Sequence, residues 1–152
     1  MPAPEHINRY TAYVVMGVSG VGKTSVSKDL AGRIGARYVE ADDFHPKANI
    51  EAMQSGVPLS DEMRIPWLMR LSEAVEAARK DGDVIVACSA LKRKYRDIIR
   101  DQVRVTRFIF LTGDRDLIAQ RLAARNSHFM PPSLLDSQLA TLERPTASEN
   151  VL

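Results

Sequence analysis

Paired cysteines, long apolar runs and dense charge of one sign are all missing from this chain. Cys88 is the single cysteine in 152 residues, which rules out a disulfide framework and fits a reducing, cytoplasmic setting. No apolar run approaches the roughly 18 residues needed to cross a membrane, so a membrane role is excluded. The opening Met1-Pro2-Ala3-Pro4-Glu5-His6 lacks the basic and apolar regions of an export signal. A net charge of +2 without a dense basic stripe argues against a nucleic-acid partner. Internal repeats and low-complexity segments are absent as well. What remains, 45% hydrophobic and 26% charged residues, is an ordinary globular composition, sized for one domain over residues 1–152.

What is present is concentrated near the N-terminus. Gly17-Val18-Ser19-Gly20-Val21-Gly22-Lys23-Thr24 reads G-x-x-x-x-G-K-T. The apolar run Tyr13 to Met16 leads into it as a strand, and Ser25 to Ala31 follows with Val26 and Leu30 at helical spacing. Strand, glycine-rich loop and helix is the context a phosphate-binding loop requires. Glycines let successive N–H groups of Gly17, Ser19, Gly20, Val21, Gly22, Lys23, Thr24 and Ser25 curl around phosphate oxygens at a helix N-terminus. In that arrangement Lys23 reaches the β- and γ-phosphates and the Thr24 hydroxyl ligates Mg²⁺. The pattern points to a nucleoside triphosphate with Mg²⁺.

Further along, strand and helix patterns alternate. Arg37 to Glu40 is a short second strand ending in acids, and Arg64 to Lys80 is helical by its apolar spacing. Asp81-Gly82-Asp83 breaks that helix before Val84 to Cys88, a continuous apolar run of the kind a buried parallel strand shows. A helix over Tyr95 to Asp101, a strand over Val105 to Leu111 and a helix over Asp116 to Arg125 complete the alternation. The expected fold is α/β: a parallel sheet covered by helices on both faces, with ligands beyond the carboxyl ends of the strands.

Three segments fall at such positions. Glu40-Ala41-Asp42-Asp43-Phe44-His45-Pro46, with Asn49 beyond it, places three acids and an imidazole after the second strand. Such a group can bind a polyhydroxylated substrate, and Asp42 can accept a hydroxyl proton during phosphoryl transfer. Helix capping is the competing role for Asp42 or Asp43. After the third strand comes Lys92-Arg93-Lys94-Tyr95-Arg96. Lys92 and Arg96, four apart, are expected to share a helix face toward an anionic ligand, with Arg93 and Lys94 solvated. Near the end, Arg121 and Arg125 lie one turn apart before Asn126-Ser127-His128-Phe129-Met130-Pro131-Pro132. Arginines on mobile lids neutralise charge on a transferred phosphoryl group, and Arg125 at the loop edge is the stronger candidate.

Together these residues resemble a family, the small gluconokinases of the P-loop type, related in fold to shikimate and adenylate kinases. The phosphate loop carries the resemblance with Ala41-Asp42-Asp43-Phe44-His45-Pro46, Asn49 to Met53, Gly56 to Asp61, Arg64-Ile65-Pro66-Trp67-Leu68, Cys88 to Asp97 and His128 to Pro131. It implies a three-layer P-loop NTPase sandwich with a helical lid over about 121–140. It also implies transfer of the ATP γ-phosphate to the 6-hydroxyl of D-gluconate, feeding the pentose phosphate and Entner–Doudoroff routes, and a homodimer. The implied substrate set is Asp42, His45, Asn49, Arg64, Lys92, Arg96 and His128, with Arg121 and Arg125 near the nucleotide. Members of the family continue past the point matching Glu149 to Leu152 with one more strand and helix, which leaves the adenine contacts unassigned. The competing readings are a P-loop kinase for another small anion, shikimate-like or nucleotide-like, and a nucleotide-binding module without catalysis.

Overall fold

The computed structural model describes residues 10–124 and 134–152. Four strands form one parallel sheet: β1 (Ala12–Met16), β2 (Arg37–Glu40), β3 (Val84–Ala87) and β4 (Thr106–Phe110), in the order β2-β3-β1-β4. Val14 stands opposite Val86 on one side and Phe108 on the other. The helices are α1 (Lys23–Ile34), α2 (Lys47–Gln54), α3 (Asp61–Arg79), α4 (Arg93–Gln102), α5 (Arg115–Ala123) and α6 (Leu134–Thr141). Short 3₁₀ turns cover Ala41–Phe44 and Ala147–Glu149.

The central strands β1 and β3 are largely apolar because both faces of the sheet are covered there, whereas the outer strands β2 and β4 carry Arg37, Glu40, Thr106 and Arg107. Val14, Met16, Val84, Val86 and Phe108 face α3 and α4, where Trp67, Leu71, Val75 and Ile99 complete the larger core. Alternate residues Val15 and Ile85 point the other way and meet Ala31 and Leu30 of α1. A third cluster, built on Val18, Leu91, Ile118, Leu122 and Leu135, packs α5 and α6 against the loops after β1 and β3. The expected α/β sandwich is therefore the observed one, with element ends moved by a few residues and two further helices, α2 and α6, that the sequence pattern did not show.

Strand order sets the position of the site. The chain leaves β1 in one direction, toward β2, and leaves β3 in the other, toward β4. The crevice between the carboxyl ends of β1 and β3 is thus the switch point where ligands bind in open α/β sheets. The 10–16 and 84–91 segments deliver the glycine-rich loop and Cys88-Ser89-Ala90-Leu91 to opposite lips of that crevice, and Gly17 N–H donates to the Ser89 carbonyl at 3.2 Å. Beside β4, Leu152 pairs in parallel fashion: its N–H donates to the Phe108 carbonyl at 3.0 Å, and its carbonyl accepts from Phe110 N–H at 2.8 Å.

Candidate active site

The loop after β1 takes its shape from residues that only glycine can replace without strain. Gly17 sits at φ +149°, and a Cβ there would stand 2.7 Å from the Leu111 carbonyl oxygen. Gly22, at φ +107°, ends the loop in a conformation closed to other residues and hands the chain to α1. Lys23 folds back over the loop, its Nζ donating to the carbonyls of Gly17 at 2.9 Å and Val18 at 3.1 Å. An ammonium held by two carbonyls is pre-placed for phosphate oxygens at the same point.

Glu40 joins this loop to the second strand. Its Oε1 accepts from the Thr24 hydroxyl at 2.8 Å and from the Tyr38 hydroxyl at 2.6 Å, and its Oε2 accepts from Asp42 N–H at 3.3 Å. Burial, with the Glu40 carboxylate beside it, pushes the Tyr38 phenol well above its usual range. Because the Thr24 hydroxyl donates its proton to Glu40, its oxygen keeps lone pairs that can accept. That arrangement suits a hard cation that takes oxygen ligands, as Mg²⁺ does. Among the described residues no group of three or more His, Cys, Asp or Glu is placed to hold a metal ion.

An open cleft runs from this loop, past Asp42, to Arg64, Met53, Pro58 and Leu59. Asp42 exposes 40% of its side chain to it. Arg64, on the first turns of α3, is 8% exposed, and its Nε is buried without a hydrogen-bond partner among the described residues. The Arg64 guanidinium lies 5.0 Å over the Tyr95 ring, and the Tyr95 hydroxyl is tied to Asp61. Burial raises the Tyr95 phenol to about 12. A buried guanidinium with an orphan donor is expensive unless a ligand anion completes it.

The expected residues separate into three groups. Lys23, Asp42, His45 and Arg64 all line the cleft with Ser19, and Asn49 is buried behind His45. Arg96 is corrected: it is 0% exposed, engaged with Glu149 and the carbonyls of Ala90 and Glu143, and not among the residues lining the cleft. The helical face expected for Lys92 and Arg96 fails because Lys92 is the extended residue preceding α4, at φ −108° and ψ 149°. Its Nζ instead lies 3.6 Å from Asp61. Arg93 and Lys94 are exposed, as expected, and Arg121 is exposed on α5. The capping role weighed for Asp42 or Asp43 belongs to Glu40, and Asp43 is exposed. Arg125 and His128 lie outside the described residues.

Comparison with known proteins decides the family. A family profile described as an AAA domain matches residues 13–145. The thermosensitive gluconokinase of Escherichia coli K12 is 44% identical over 139 residues, covering 91% of this chain and 74% of the relative. This chain belongs to the gluconokinase family. Among solved structures, an unliganded sugar kinase from Janibacter sp. HTCC2649 superposes at a TM-score of 0.87 with 46% identity, over 94% of this chain and 83% of the other. A gluconokinase from Sinorhizobium meliloti 1021 superposes at 0.81 with 43% identity, over 93% and 80%.

Two parts of this gluconokinase-family site had no clear signal in the sequence. Gln138, on α6, accepts from the Ser19 N–H with its Oε1 at 2.7 Å, across 119 positions of chain. Trp67 donates its indole N–H to the Ala41 carbonyl at 2.7 Å and stacks on His45. Trp67 stands in the quoted Arg64-to-Leu68 motif, but its partner is set by tertiary packing. Cys88, also at the cleft wall, is 1% exposed and its thiol is pushed up to about 12 by burial, consistent with a small packing residue rather than a nucleophile.

Proposed function

We propose that this chain transfers the γ-phosphoryl group of ATP to the 6-hydroxyl of D-gluconate. The observation that carries the reading is Arg64: a buried guanidinium whose Nε has no hydrogen-bond partner among the described residues, in the same cleft as Asp42 and the phosphate-loop lysine. A carboxylate on the acceptor would complete that guanidinium, and a polyol tail would extend from it toward Asp42. The acceptor oxygen attacks phosphorus in line while the bond to the bridging oxygen of ADP breaks, and Asp42 takes the hydroxyl proton. Lys23 exchanges the Gly17 and Val18 carbonyls for phosphate oxygens, and the loop amides from Gly20 to Ser25 hold the remaining ones. Thr24 would hold Mg²⁺, which neutralises charge on the β- and γ-phosphates when bound. Arg121 would contact the nucleotide. A cytoplasmic homodimer is the accompanying proposal. Among the described residues no helix is long and apolar enough to cross a membrane.

The test is ADP release coupled to a detection system, with D-gluconate, shikimate and a nucleoside monophosphate compared as acceptors. Gluconate-dependent ADP formation, with 6-phosphogluconate as product, is the expected result. Preference for another acceptor, or ADP release indifferent to all three, would defeat the assignment.

A further inference from the structure

His45 stands in the cleft wall, yet only 3% of its side chain is exposed, against 40% for Asp42 in front of it. Such an enclosed ring is badly placed to receive substrate hydroxyls. Its surroundings give it another use. One face stacks on Trp67, with centroids 4.1 Å apart and planes at 20°, and Trp67 is itself pinned to the Ala41 carbonyl. The two ring nitrogens lie edge-on to different partners: Nδ1 is 3.2 Å from Asn49 Nδ2, and Nε2 is 3.6 Å from Asp42 Oδ1.

The proton on this ring can be located from the Asn49 amide. A carbonyl oxygen can only accept, so the amide atom 3.0 Å from the Met63 carbonyl is the nitrogen. That same nitrogen turns its second hydrogen to His45 Nδ1, which therefore presents a lone pair. In the neutral ring the proton is then on Nε2, the atom that faces Asp42. The distance of 3.6 Å exceeds a hydrogen bond. Catalytic contacts of this type are commonly long before substrate binds and shorten in the loaded complex.

We propose that Asn49 and His45 are positioning residues rather than substrate contacts. Asn49 fixes the tautomer, the Trp67 stack fixes the ring plane, and the Nε2–H steers the Asp42 carboxylate as it takes the acceptor's proton. This inference rests on Asp42 acting as proposed above. It differs from the role that the family resemblance implies for both residues, and the two roles predict opposite kinetics. A substrate contact governs KM, whereas a group acting through Asp42 governs kcat.

Three substitutions separate them. His45→Gln places an amide N–H near the position of Nε2–H. His45→Met has nearly the same length and no donor. His45→Phe keeps an aromatic ring against Trp67 and also has no donor. Steady-state kinetics with gluconate varied at saturating ATP should show kcat reduced on the order of 10-fold or more in the Met and Phe variants, with KM for gluconate within about twofold of wild type. The Gln variant should recover most of that loss. Thermal melts identify any variant that has lost its fold, and the Gln and Met pair still decides the matter if the Phe variant is one. A raised KM with unchanged kcat would overturn the inference in favour of substrate contact. Equal kcat in the Gln and Met variants would overturn it by showing that the N–H has no part. A wild-type chain without gluconate-dependent turnover would remove the proposed function, and this relay with it.

Discussion

Arg96 and Glu149 meet in a bidentate ion pair, Nε to Oε1 and a terminal nitrogen to Oε2, both at 2.7 Å, with 0% and 2% of their side chains exposed. Arg100 adds a second cation at 2.9 Å from Oε1. Arg96 also donates to the carbonyls of Ala90 and Glu143, so one guanidinium fastens the 143–149 segment to the turn after β3. Ala90 lies in that turn at φ +45°, a conformation unfavourable for alanine and held here by its packing and by the Arg96 contact.

Glu149→Gln is expected to destabilise the fold by about 3 kcal/mol or more, because it leaves Arg96 buried without its counter-charge. Chemical denaturation of both proteins at neutral pH measures this. A loss under about 1 kcal/mol would show that the pair is replaceable by neutral hydrogen bonds.

The same pair sets an acid limit on stability. Hydrogen bonds from Arg96, ahead of those from Arg100, hold the Glu149 carboxyl at about 2, below its ordinary 4.5. The folded-state value is depressed, so the unfolded chain binds more protons in this window. The contribution of the pair is therefore complete above about pH 4.5 and disappears as pH falls toward about 2. Unfolding free energy measured from pH 7 downward should fall more steeply in this range for wild type than for Glu149→Gln. Parallel curves would remove Glu149 from the acid response.

Lys23→Ala should reduce turnover by on the order of 10²-fold or more, since the lost charge acts most strongly on the transition state. Its hydrogen bonds to Gly17 and Val18 are partly solvated, so stability should change by about 1 kcal/mol or less. Coupled ADP release beside a thermal melt tests both halves. Near-normal turnover would show that another residue does the work.

Asp42→Asn should lower kcat by about 10²- to 10⁴-fold with little effect on ATP binding, because the amide cannot take the hydroxyl proton. Asp43→Asn serves as its control: Asp43 is exposed and Glu40 supplies the cap, so activity and melting temperature should both stay near wild type. Equal losses in the two variants would sink Asp42 as the base.

Arg64→Met should raise KM for gluconate about 10- to 10²-fold, the equivalent of one or two lost charge-assisted hydrogen bonds. Stability should hold within about 1 kcal/mol, since the apolar chain refills the site and removes a buried, incompletely paired charge. An unchanged KM would show that the acceptor's carboxylate binds elsewhere.

The parts of this molecule legible in its sequence are those governed by neighbouring residues. Val84 to Cys88 read as a strand, found at Val84–Ala87, because a parallel strand covered on both faces is continuously apolar, and the glycine loop read correctly because its dihedral demands are local. That Asp42 and Arg64 fall in one cleft was legible, for Asp42 through its strand-end position and for Arg64 through its motif. Arg96 was misread for a definite reason: spacing of four from Lys92 implies a shared face only if both residues are helical, and Lys92 precedes the helix in an extended conformation. Its true partner, Glu149, is 53 positions away, where no local pattern reports it. α2 and α6, each 8 residues long, are held by packing more than by their own periodicity. The Gln138 contact with Ser19 likewise exists only once the sheet has assembled.

Glu40 has a consequence for anyone wishing to redesign this enzyme. If the proposed function holds, acceptor preference is to be altered at Met53, Pro58, Leu59 and Arg64, which line the cleft together with Asp42. Nucleotide handling can be altered within the loop itself. Glu40 belongs to neither module, because one carboxylate braces both the Thr24 hydroxyl and the Asp42 backbone. A library that varies Glu40 would perturb donor and acceptor sides in the same clone, so it is the position to hold constant while either half is evolved separately.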